Sequence, residues 1–453
     1  MKKPFAQYRR FFVLGMARSG VAASGLLAGD SRSVTIFDDD PVALSKFVAT
    51  DVARQHGDRI ALAEPAGVRA AIAACDCVVV SPGVPLDHAL VKYAAAEEKP
   101  TIGEIEVAYH FTRARILGVT GTNGKSTTVG VIGDIFKAAG IDTVVAGNIG
   151  TPVCDVLRER DPHTLVLEIS SFQLDTTDEF RCDVAALLNV TPDHLDRYHH
   201  SFDEYAASKA RILNHATDRT FYVYNREDAA ANALASQTPA RPIPFSSARV
   251  LEHGVYFDDA CIMRSWGGKR EKVIQRGEFN PVGVHNLENA LASVAVASAL
   301  DVPLDAVQRA LRDYRPLPHR MELVRVLDGV SYVNDSKATN VDATVKSLIS
   351  VEGHSILILG GRDKEGDFSA LLPHLADVRR AVLIGEAKTV IRRALNGRVE
   401  MTDAHDMEDA VRIGRKVAHT GDTVLLAPAC ASFDMFKNYQ ERGEVFRACV
   451  NSL

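Results

Sequence analysis

The chain has 453 residues, of which 46% are hydrophobic and 24% are charged, and its formal net charge is −6 at pH 7. This composition is typical of a soluble globular protein, and the negative charge argues against nucleic acid or an anionic membrane as the main partner. The length exceeds one ordinary hydrophobic core and predicts about three domains. No stretch approaches the roughly 20 apolar residues of a membrane span, so we expect no membrane insertion. The seven cysteines are scattered without zinc spacing, which favours reduced thiols and a cytoplasmic protein.

The first hundred residues alternate short apolar segments with helical ones. Predicted strands at residues 11–14, 34–37, 77–80 and 100–102 indicate a parallel sheet with helices on its faces. A glycine turn at residues 15–20 follows the first strand, and Asp38 ends the second, at about the spacing where dinucleotide-binding folds place a ribose-binding acid. Ala17 replaces the middle glycine of that fingerprint. A packing turn and a nucleotide site therefore both remain open interpretations.

A glycine-bracketed loop at residues 121–127 follows an apolar segment and precedes a helical one, which predicts a strand, a phosphate loop and a helix. Gly121 and Gly124 allow successive backbone N–H groups to point at one anion. Lys125 would contact the β- and γ-phosphates of a nucleotide, with Ser126 or Thr127 offering a hydroxyl to Mg²⁺. The spacing is shorter than in the general phosphate loop, and a plain glycine turn is the alternative.

Two further predicted strands end in polar residues. One ends at Glu168, and the other leads through residues 189–193 to His194. Because ligands of open parallel sheets bind beyond the carboxyl ends of the strands, both are candidates to approach a Mg²⁺-phosphate cluster. Individually, Glu168 could be a satisfied strand-end acid and His194 a surface histidine.

The rest of the middle region gives weaker signals. Residues 201–213 predict a helix with Ser201 as N-cap and Glu204 completing a capping box, and on pattern alone its Lys209 is an ordinary helical lysine. Residues 220–280 predict an antiparallel edge of the sheet. An Ala-rich helix at 285–300 opens with Asn286 and Asn289, whose amides could contact a base or a phosphate.

Two prolines within residues 315–320 predict a stiff linker and a domain boundary. Beyond it, predicted strands at 330–333, 356–359, 381–384 and 424–426 each end in a loop and indicate a further α/β sheet. Lys337, Thr339, Lys364 and Ser432 follow these strands, a set suited to a small dicarboxylate held by charge-assisted hydrogen bonds. Each lysine alone could equally be a solvated surface charge.

Several motifs in the same order resemble those of the Mur ligases of peptidoglycan synthesis. They are residues 121–127 (Gly-Thr-Asn-Gly-Lys-Ser-Thr), 168–174, 193–197, 317–320 and 334–340, while residues 428–434 and 436–438 resemble the C-terminal signature of the D-glutamate-adding branch. The resemblance implies an α/β fold of three domains. These are a Rossmann-like UDP-substrate domain at 1–103, a central P-loop ATPase-like parallel-sheet domain at 104–316 that binds ATP, and a Rossmann-like amino-acid-binding domain at 317–453.

The resemblance further implies ATP-dependent amide formation. The carboxylate of UDP-N-acetylmuramoyl-L-alanine becomes an acyl phosphate, and the amine of D-glutamate displaces the phosphate. Because two anions must meet, cations have to neutralise charge along the line of transfer. Lys125, His194 and Lys209 are the implied catalytic residues. Ser126 and Glu168 would hold one Mg²⁺ ion, and His194 and a carbamylated Lys209 a second.

The resemblance also assigns binding residues. ATP is expected at Gly121, Thr122, Asn123, Gly124, Lys125, Ser126, Thr127, Asn286, Asn289, Arg320 and Asp335. The UDP part is expected at Arg18, Ser19, Asp38, Ser81, Gly83 and Asn148, and D-glutamate at Lys337, Thr339, Lys364, Ser432 and Phe433. The acidic run Asp38, Asp39 and Asp40 beside a diphosphate and the order of residues 361–364 depart from the family pattern. We expect a monomer whose third domain closes over the other two.

Three other functions stay open at this stage. A ligase of the same superfamily could add L-alanine, a diamino acid, a dipeptide or a glutamyl-folate residue. The glycine turn and Asp38 would also suit a dinucleotide-binding oxidoreductase. A non-catalytic sensor of UDP precursors is the third, although the full set Lys125, Glu168, His194 and Lys209 argues against it.

Overall fold

The computed structural model describes residues 4–279, 284–315, 318–351 and 353–453. Three β-sheets follow one another along the chain, with five, nine and six strands. The predicted boundary at residues 316 and 317 lies outside the described residues. Among the described residues, no helix combines the length and the apolar character that a membrane crossing requires.

The first sheet is entirely parallel, in the order β3-β2-β1-β4-β5. The four predicted strands are confirmed, whereas β3 was not predicted because it has three residues of which two are exposed. In chain order the elements are β1 (Arg10–Leu14), α1 (Arg18–Gly29), β2 (Ser33–Phe37), α2 (Pro41–Val48), α3 (Asp51–His56), β3 (Ile60–Leu62), α4 (Val68–Ala74), β4 (Cys77–Val80), α5 (Ala89–Ala96), β5 (Thr101–Ile102) and α6 (Glu104–Tyr109).

The central sheet has the order β14-β13-β12-β11-β10-β9-β6-β8-β7. Its elements are β6 (Arg115–Thr120), α7 (Lys125–Ala138), β7 (Thr143–Gly147), α8 (Val153–Glu159), β8 (Thr164–Glu168), α9 (Ser171–Leu174), β9 (Val184–Leu187), α10 (Phe202–Ala210), β10 (Phe221–Asn225), α11 (Ala229–Leu234), β11 (Arg241–Ser246), β12 (Gly254–Asp258), β13 (Cys261–Trp266), β14 (Lys269–Gln275), α12 (Val284–Ala299) and α13 (Leu304–Asp313). The strand β6 lies inside this sheet, so it delivers the phosphate loop to the middle of the strand ends.

The predicted antiparallel edge at residues 220–280 is partly wrong. Strands β10, β11 and β12 extend the sheet in parallel, and only β13 and β14 are antiparallel. The reason is α11, a six-residue alanine-rich helix that connects β10 to β11. A helical crossover lets the chain return in the same direction, and its short length hid it from the pattern.

The third sheet has the order β15-β16-β20-β17-β18-β19, with only the edge strand β15 antiparallel. All four predicted strands of this region are confirmed, and β15 and β19 add to them. The elements are β15 (Glu322–Leu327), β16 (Val330–Asn334), α14 (Val341–Ile349), β17 (Ser355–Gly360), β18 (Val378–Ile384), α15 (Lys388–Leu395), β19 (Met401–Asp403), α16 (Met407–Val417), β20 (Thr423–Leu426) and α17 (Tyr439–Asn451).

The first two sheets share one hydrophobic core. Phe11 and Leu27 of the first region belong to the same cluster of buried side chains as Val156 and Leu165 of the second. The clusters on the two faces of the third sheet are formed by residues from 330 onward. Apolar packing therefore joins the first and central sheets into one body, whereas the third sheet has cores of its own.

A buried carboxylate lies at the junction of the first two sheets. Glu104, in the first turn of α6, is 3% exposed. Its Oε1 accepts a hydrogen bond from the Cys154 N–H at 2.7 Å, and its buried Oε2 has no partner among the described residues. Burial raises the pKa of Glu104 from its ordinary value of 4.5 to about 7, although the Cys154 N–H opposes this. In the folded chain Glu104 is therefore mainly protonated below about pH 7.

This raised pKa predicts a pH-dependent stability. The stability that the protonated Glu104 contributes is fully present below about pH 4.5 and is lost as pH rises through about 7. We expect Glu104→Gln, which cannot ionise, to flatten the fall in Tm between pH 5 and 8, measured by calorimetry. Glu97→Gln, at an exposed glutamate, is the control and should keep the wild-type slope. An unchanged slope in Glu104→Gln would contradict the assignment.

Candidate active site

A cleft of about 230 Å³ lies where the strand ends of the central sheet face the third sheet. It collects most of the residues that the sequence assigned to ATP, metal and catalysis. They are Thr122, Asn123, Gly124, Lys125, Ser126, Thr127, Glu168, His194, Lys209, Asn286, Asn289, Arg320 and Asp335. The cleft also includes Asn148, which was assigned to the UDP part, and Lys337 and Thr339, which were assigned to D-glutamate. Residues separated by more than two hundred positions therefore converge, as expected where the carboxyl edges of parallel strands meet.

The phosphate loop takes its shape from two glycines. Gly121 has φ +151° and Gly124 has φ +88°, values that favour residues without a Cβ. A Cβ at Gly124 would lie 2.2 Å from Oδ1 of Asn289, so the close approach of α12 also requires glycine. Asn189 accepts from the N–H groups of Thr122 and Asn123 through its backbone oxygen at 2.9 Å and its Oδ1 at 2.8 Å. The N–H groups in the first turn of α7 are then the ones left for an anion.

Two lysines converge on one backbone carbonyl in the cleft. Lys125 Nζ donates to the oxygens of Gly121 and Thr122 at 2.7 and 2.9 Å, and Lys209 Nζ donates to the same Gly121 oxygen at 2.9 Å. Burial lowers the pKa of both, and for Lys209 the neighbouring Lys125 lowers it further, to well below its ordinary value. Lys209 also lies 4.5 Å from the centre of the Tyr205 ring. Two lysines buried this close favour an anion beside them or the loss of a proton from Lys209.

Glu168 has an oxygen free for a metal ion. Its Oε1 accepts from Asn148 Nδ2 at 2.8 Å, whereas its Oε2 is buried without a hydrogen-bond partner among the described residues. Burial raises the pKa of Glu168, but Lys125 and Asn148 outweigh it and hold the pKa below its ordinary value. An ionised carboxylate with one unpaired oxygen, beside the buried Ser126 hydroxyl, fits a Mg²⁺ ion. The described residues contain no cluster of three His, Cys, Asp or Glu side chains that would suit a metal by themselves.

His194 is half-buried at the other side of the cleft, with φ +55°. Its ring meets the edge of Phe172 at 5.2 Å between centroids. Burial lowers the pKa of His194, Lys364 and Lys125 lower it further, and Asp193 acts in the opposite direction. The imidazole is therefore neutral at pH 7, the form that coordinates metals.

Polar contacts join the third sheet to the phosphate loop. Lys364 Nζ lies 2.8 Å from Asp193 Oδ1, and Asn340 Nδ2 donates to Asp193 Oδ2 at 2.9 Å. Asn123 Nδ2 of the loop donates to Asp342 Oδ2 at 2.6 Å. Burial raises the pKa of Asp193, but Lys364 and the other partners lower it to about 2. The third sheet thus stands against the central one, although the predicted closing motion stays a prediction.

The residues predicted to bind the amino acid lie only partly in the cleft. Lys337 lies in the cleft 4.3 Å from the centre of the Tyr439 ring, and burial, with Arg320, lowers its pKa to about 7. Lys364 pairs with Asp193 instead of lining the cleft. Ser432 is buried, whereas Phe433 is 64% exposed. Their contacts with D-glutamate stay predictions.

The residues assigned to the UDP part mostly shape the glycine turn of the first sheet. Asp38 accepts from the N–H groups of Met16 and Asp40 at 2.6 and 2.9 Å, and the Ser81 hydroxyl donates to Gly15 O at 2.6 Å. Arg18, beside Ser19 in the first turn of α1, donates to Gly150 O next to Asn148. The ribose contact of Asp38 and the nucleotide contacts of the others stay predictions.

Sequence reasoning missed several polar residues at the site. Three of them, Asn189, Asp193 and Asn340, lie within motifs that were already recognised. Their position after a strand end could have assigned them to the site. Asp342 and Tyr439 follow such motifs by a few residues. The predicted N-cap Ser201 is confirmed, since its side chain accepts from the Glu204 N–H. The predicted capping box is not formed, because the Glu204 side chain pairs with His199 at 2.9 Å.

Comparison with known proteins identifies the family. Residues 119–297 match the Mur ligase middle domain and residues 319–430 match the Mur ligase, glutamate ligase domain, together more than half of the chain. A UDP-N-acetylmuramoylalanine--D-glutamate ligase of Geobacter sp. (strain M21) is 40% identical over 98% of both chains. The same-named protein of Pelotomaculum thermopropionicum is 41% identical over 100% of this chain and 99% of its own. The chain belongs to the Mur ligase family.

Solved structures of Mur ligases and their relatives share the fold. A pseudomurein peptide ligase type C from Methanothermus fervidus superposes with a TM-score of 0.62 at 16% identity, covering 98% of this chain and 99% of its own. The UDP-N-acetylmuramate-alanine ligase of Thermotoga maritima superposes with a TM-score of 0.58, also at 16% identity, covering 98% of this chain and 100% of its own. The predicted α/β architecture is therefore confirmed as that of a Mur ligase.

Proposed function

We propose that this Mur ligase joins D-glutamate to UDP-N-acetylmuramoyl-L-alanine at the expense of ATP, in cytoplasmic peptidoglycan precursor synthesis. The observation that carries the proposal is the full-length similarity, at about 40% identity, to proteins named for that reaction. The site supports it, because the cleft brings a phosphate loop, an ionised carboxylate and a neutral imidazole together with lysines from two sheets. We expect the chain to act as a monomer.

Bound ATP with Mg²⁺ would supply the γ-phosphate that turns the substrate carboxylate into an acyl phosphate. Lys125 and the first-turn amides of α7 bind the phosphates, and Asn286, Asn289, Arg320 and Asp335 surround the rest of the nucleotide. Lys337, with its lowered pKa, stands close enough to Glu168 and Arg320 for their charges to act on it. These cations counter the charge that builds up as two anions approach each other.

The amine of D-glutamate must approach the activated carbonyl as a nucleophile. Lys337, Thr339, Lys364 and Ser432 belong to the third sheet, and we propose that they hold the two carboxylates of D-glutamate. The contacts from Asn340 and Lys364 to Asp193 place that sheet beside His194. This position excludes water from an acyl phosphate that water would otherwise hydrolyse.

We propose that the metal sites use Ser126 and Glu168 for one Mg²⁺ ion and His194 and a carbamylated Lys209 for a second. Only a neutral amine reacts with CO₂, and burial together with Lys125 lowers the pKa of Lys209 well below its ordinary value, which favours that form. The product is an anion, which would lie beside the Lys125 ammonium and be stabilised by it.

A panel of amino acids tests the proposed reaction. The protein would be incubated with UDP-N-acetylmuramoyl-L-alanine, ATP and Mg²⁺, and phosphate release measured with D-glutamate, L-glutamate, L-alanine, a diamino acid or a dipeptide. We expect release with D-glutamate to exceed that with any other amine at least tenfold. Preference for another amino acid, or for the muramoyl substrate without L-alanine, would contradict the assignment. Measured affinity for NAD(P)H without affinity for a UDP-sugar would favour the oxidoreductase instead.

Lys209→Ala tests the carbamate. Removing a metal ligand should reduce turnover by at least a hundredfold and raise the Mg²⁺ concentration needed for half-maximal activity. Added acetate or formate should restore part of the activity by placing a carboxylate in the vacated space. Lys137→Ala, at an exposed lysine, should retain wild-type turnover. Near-normal activity of Lys209→Ala would remove Lys209 from the metal site, and failure of both carboxylates to rescue it would argue against the carbamate.

A further inference from the structure

Arg197 joins the wall of the active-site cleft to the first sheet. It lies in a 3-10 turn, Leu195–Tyr198, three residues after His194. Its guanidinium carbon lies 4.4 Å from the centre of the Phe172 ring, and the same ring meets His194. Phe172 lines the cleft. The guanidinium therefore packs on the Phe172 ring, directly behind the wall of the cleft.

The other side of Arg197 faces the turn that follows β4. Its two terminal nitrogens donate to Gly83 O at 3.5 Å and to Pro82 O at 3.4 Å. Both distances are at the long limit for N–H···O bonds, and both acceptors are neutral carbonyls. Within the described residues, no carboxylate lies within ion-pair distance of Arg197. Lys364, by contrast, is paired with Asp193. Arg197 therefore retains most of its capacity to bind an anion.

The turn that Arg197 touches packs against the glycine turn of the first sheet. The Ser81 hydroxyl donates to Gly15 O, and a Cβ at Gly15 would lie 2.8 Å from Val84 and 2.9 Å from Ser81. A molecule that stretches from the first sheet to His194 has to pass this turn. The acidic run beside it is already engaged, since Asp38 binds two N–H groups and Asp39 pairs with His88 at 2.9 Å.

We infer that Arg197 is the cation that receives the diphosphate of the nucleotide-sugar substrate. The inference rests on the proposed function, with the UDP part on the first sheet, as the sequence predicts, and the reacting carboxylate in the cleft that His194 lines. The diphosphate is the charged group between these two ends. A planar guanidinium can donate to two phosphate oxygens at once. These charge-assisted hydrogen bonds are stronger than the present ones to two neutral carbonyls. Stacking on Phe172 keeps the guanidinium in place while the substrate binds.

Steady-state kinetics of Arg197→Met test the inference. Methionine keeps much of the apolar contact with Phe172 but removes the charge. We expect the KM for UDP-N-acetylmuramoyl-L-alanine to rise about ten- to a hundredfold, the range for a charge-assisted hydrogen bond. The KM values for ATP and D-glutamate and the kcat should change less than threefold. Arg197→Lys should lie between wild type and Arg197→Met, and Arg219→Met, at an exposed arginine in the turn before β10, should match wild type.

A substrate without the diphosphate separates charge from packing. With N-acetylmuramoyl-L-alanine, wild type and Arg197→Met should have the same kcat/KM, because the group that Arg197 binds is missing. A defect of equal size with both substrates would show that Arg197 only supports Phe172 and His194, and an unchanged KM for the UDP substrate would also overturn the inference. If wild type does not turn over the UDP substrate at all, the proposed function fails instead.

Discussion

The carbonyl oxygen of Gly121 is the point on which the active site depends. Lys125 and Lys209 both donate to it, and both are buried. The carbonyl can sit there because Gly121 adopts φ +151°, which a residue with a Cβ resists. Two lysines at one buried oxygen would repel each other if both were charged, so the site depends on the lowered pKa of Lys209 and on the anions that the cleft can gather.

One surrounding group supplies negative charge, and others are placed to bind anions. Glu168 stays ionised with one oxygen unpaired, and the first-turn amides of α7 are open to phosphate. The third sheet contributes Lys337 to the cleft, and its Lys364 forms an ion pair with Asp193 of the central region. The first sheet, by contrast, shares an apolar core with the central one. The third sheet thus meets the phosphate loop through hydrogen bonds, whereas apolar packing joins the first sheet to the central one.

Much of this site is visible in the sequence because strand, loop and helix signals are local. The loop at 121–127, Glu168 and His194 each follow a strand, and parallel strands share a carboxyl edge. Contacts between distant elements carry no such signal. The meeting of Lys209 with Gly121, and the pairing of Lys364 with Asp193, depend on how α10 and the third sheet pack. The parallel pairing of β10 with β11 depended on the short helix α11, and the exposure of Phe433 on the path of one loop.

The central claim is that the γ-phosphate passes to the substrate carboxylate and not to water. Labelling both carboxylate oxygens of UDP-N-acetylmuramoyl-L-alanine with ¹⁸O and analysing the released phosphate by mass spectrometry tests this most directly. An acyl phosphate leaves one carboxylate oxygen in phosphate when the amine displaces it, so each amide formed should yield one singly labelled phosphate. Unlabelled phosphate, released at the same rate as amide, would contradict the account.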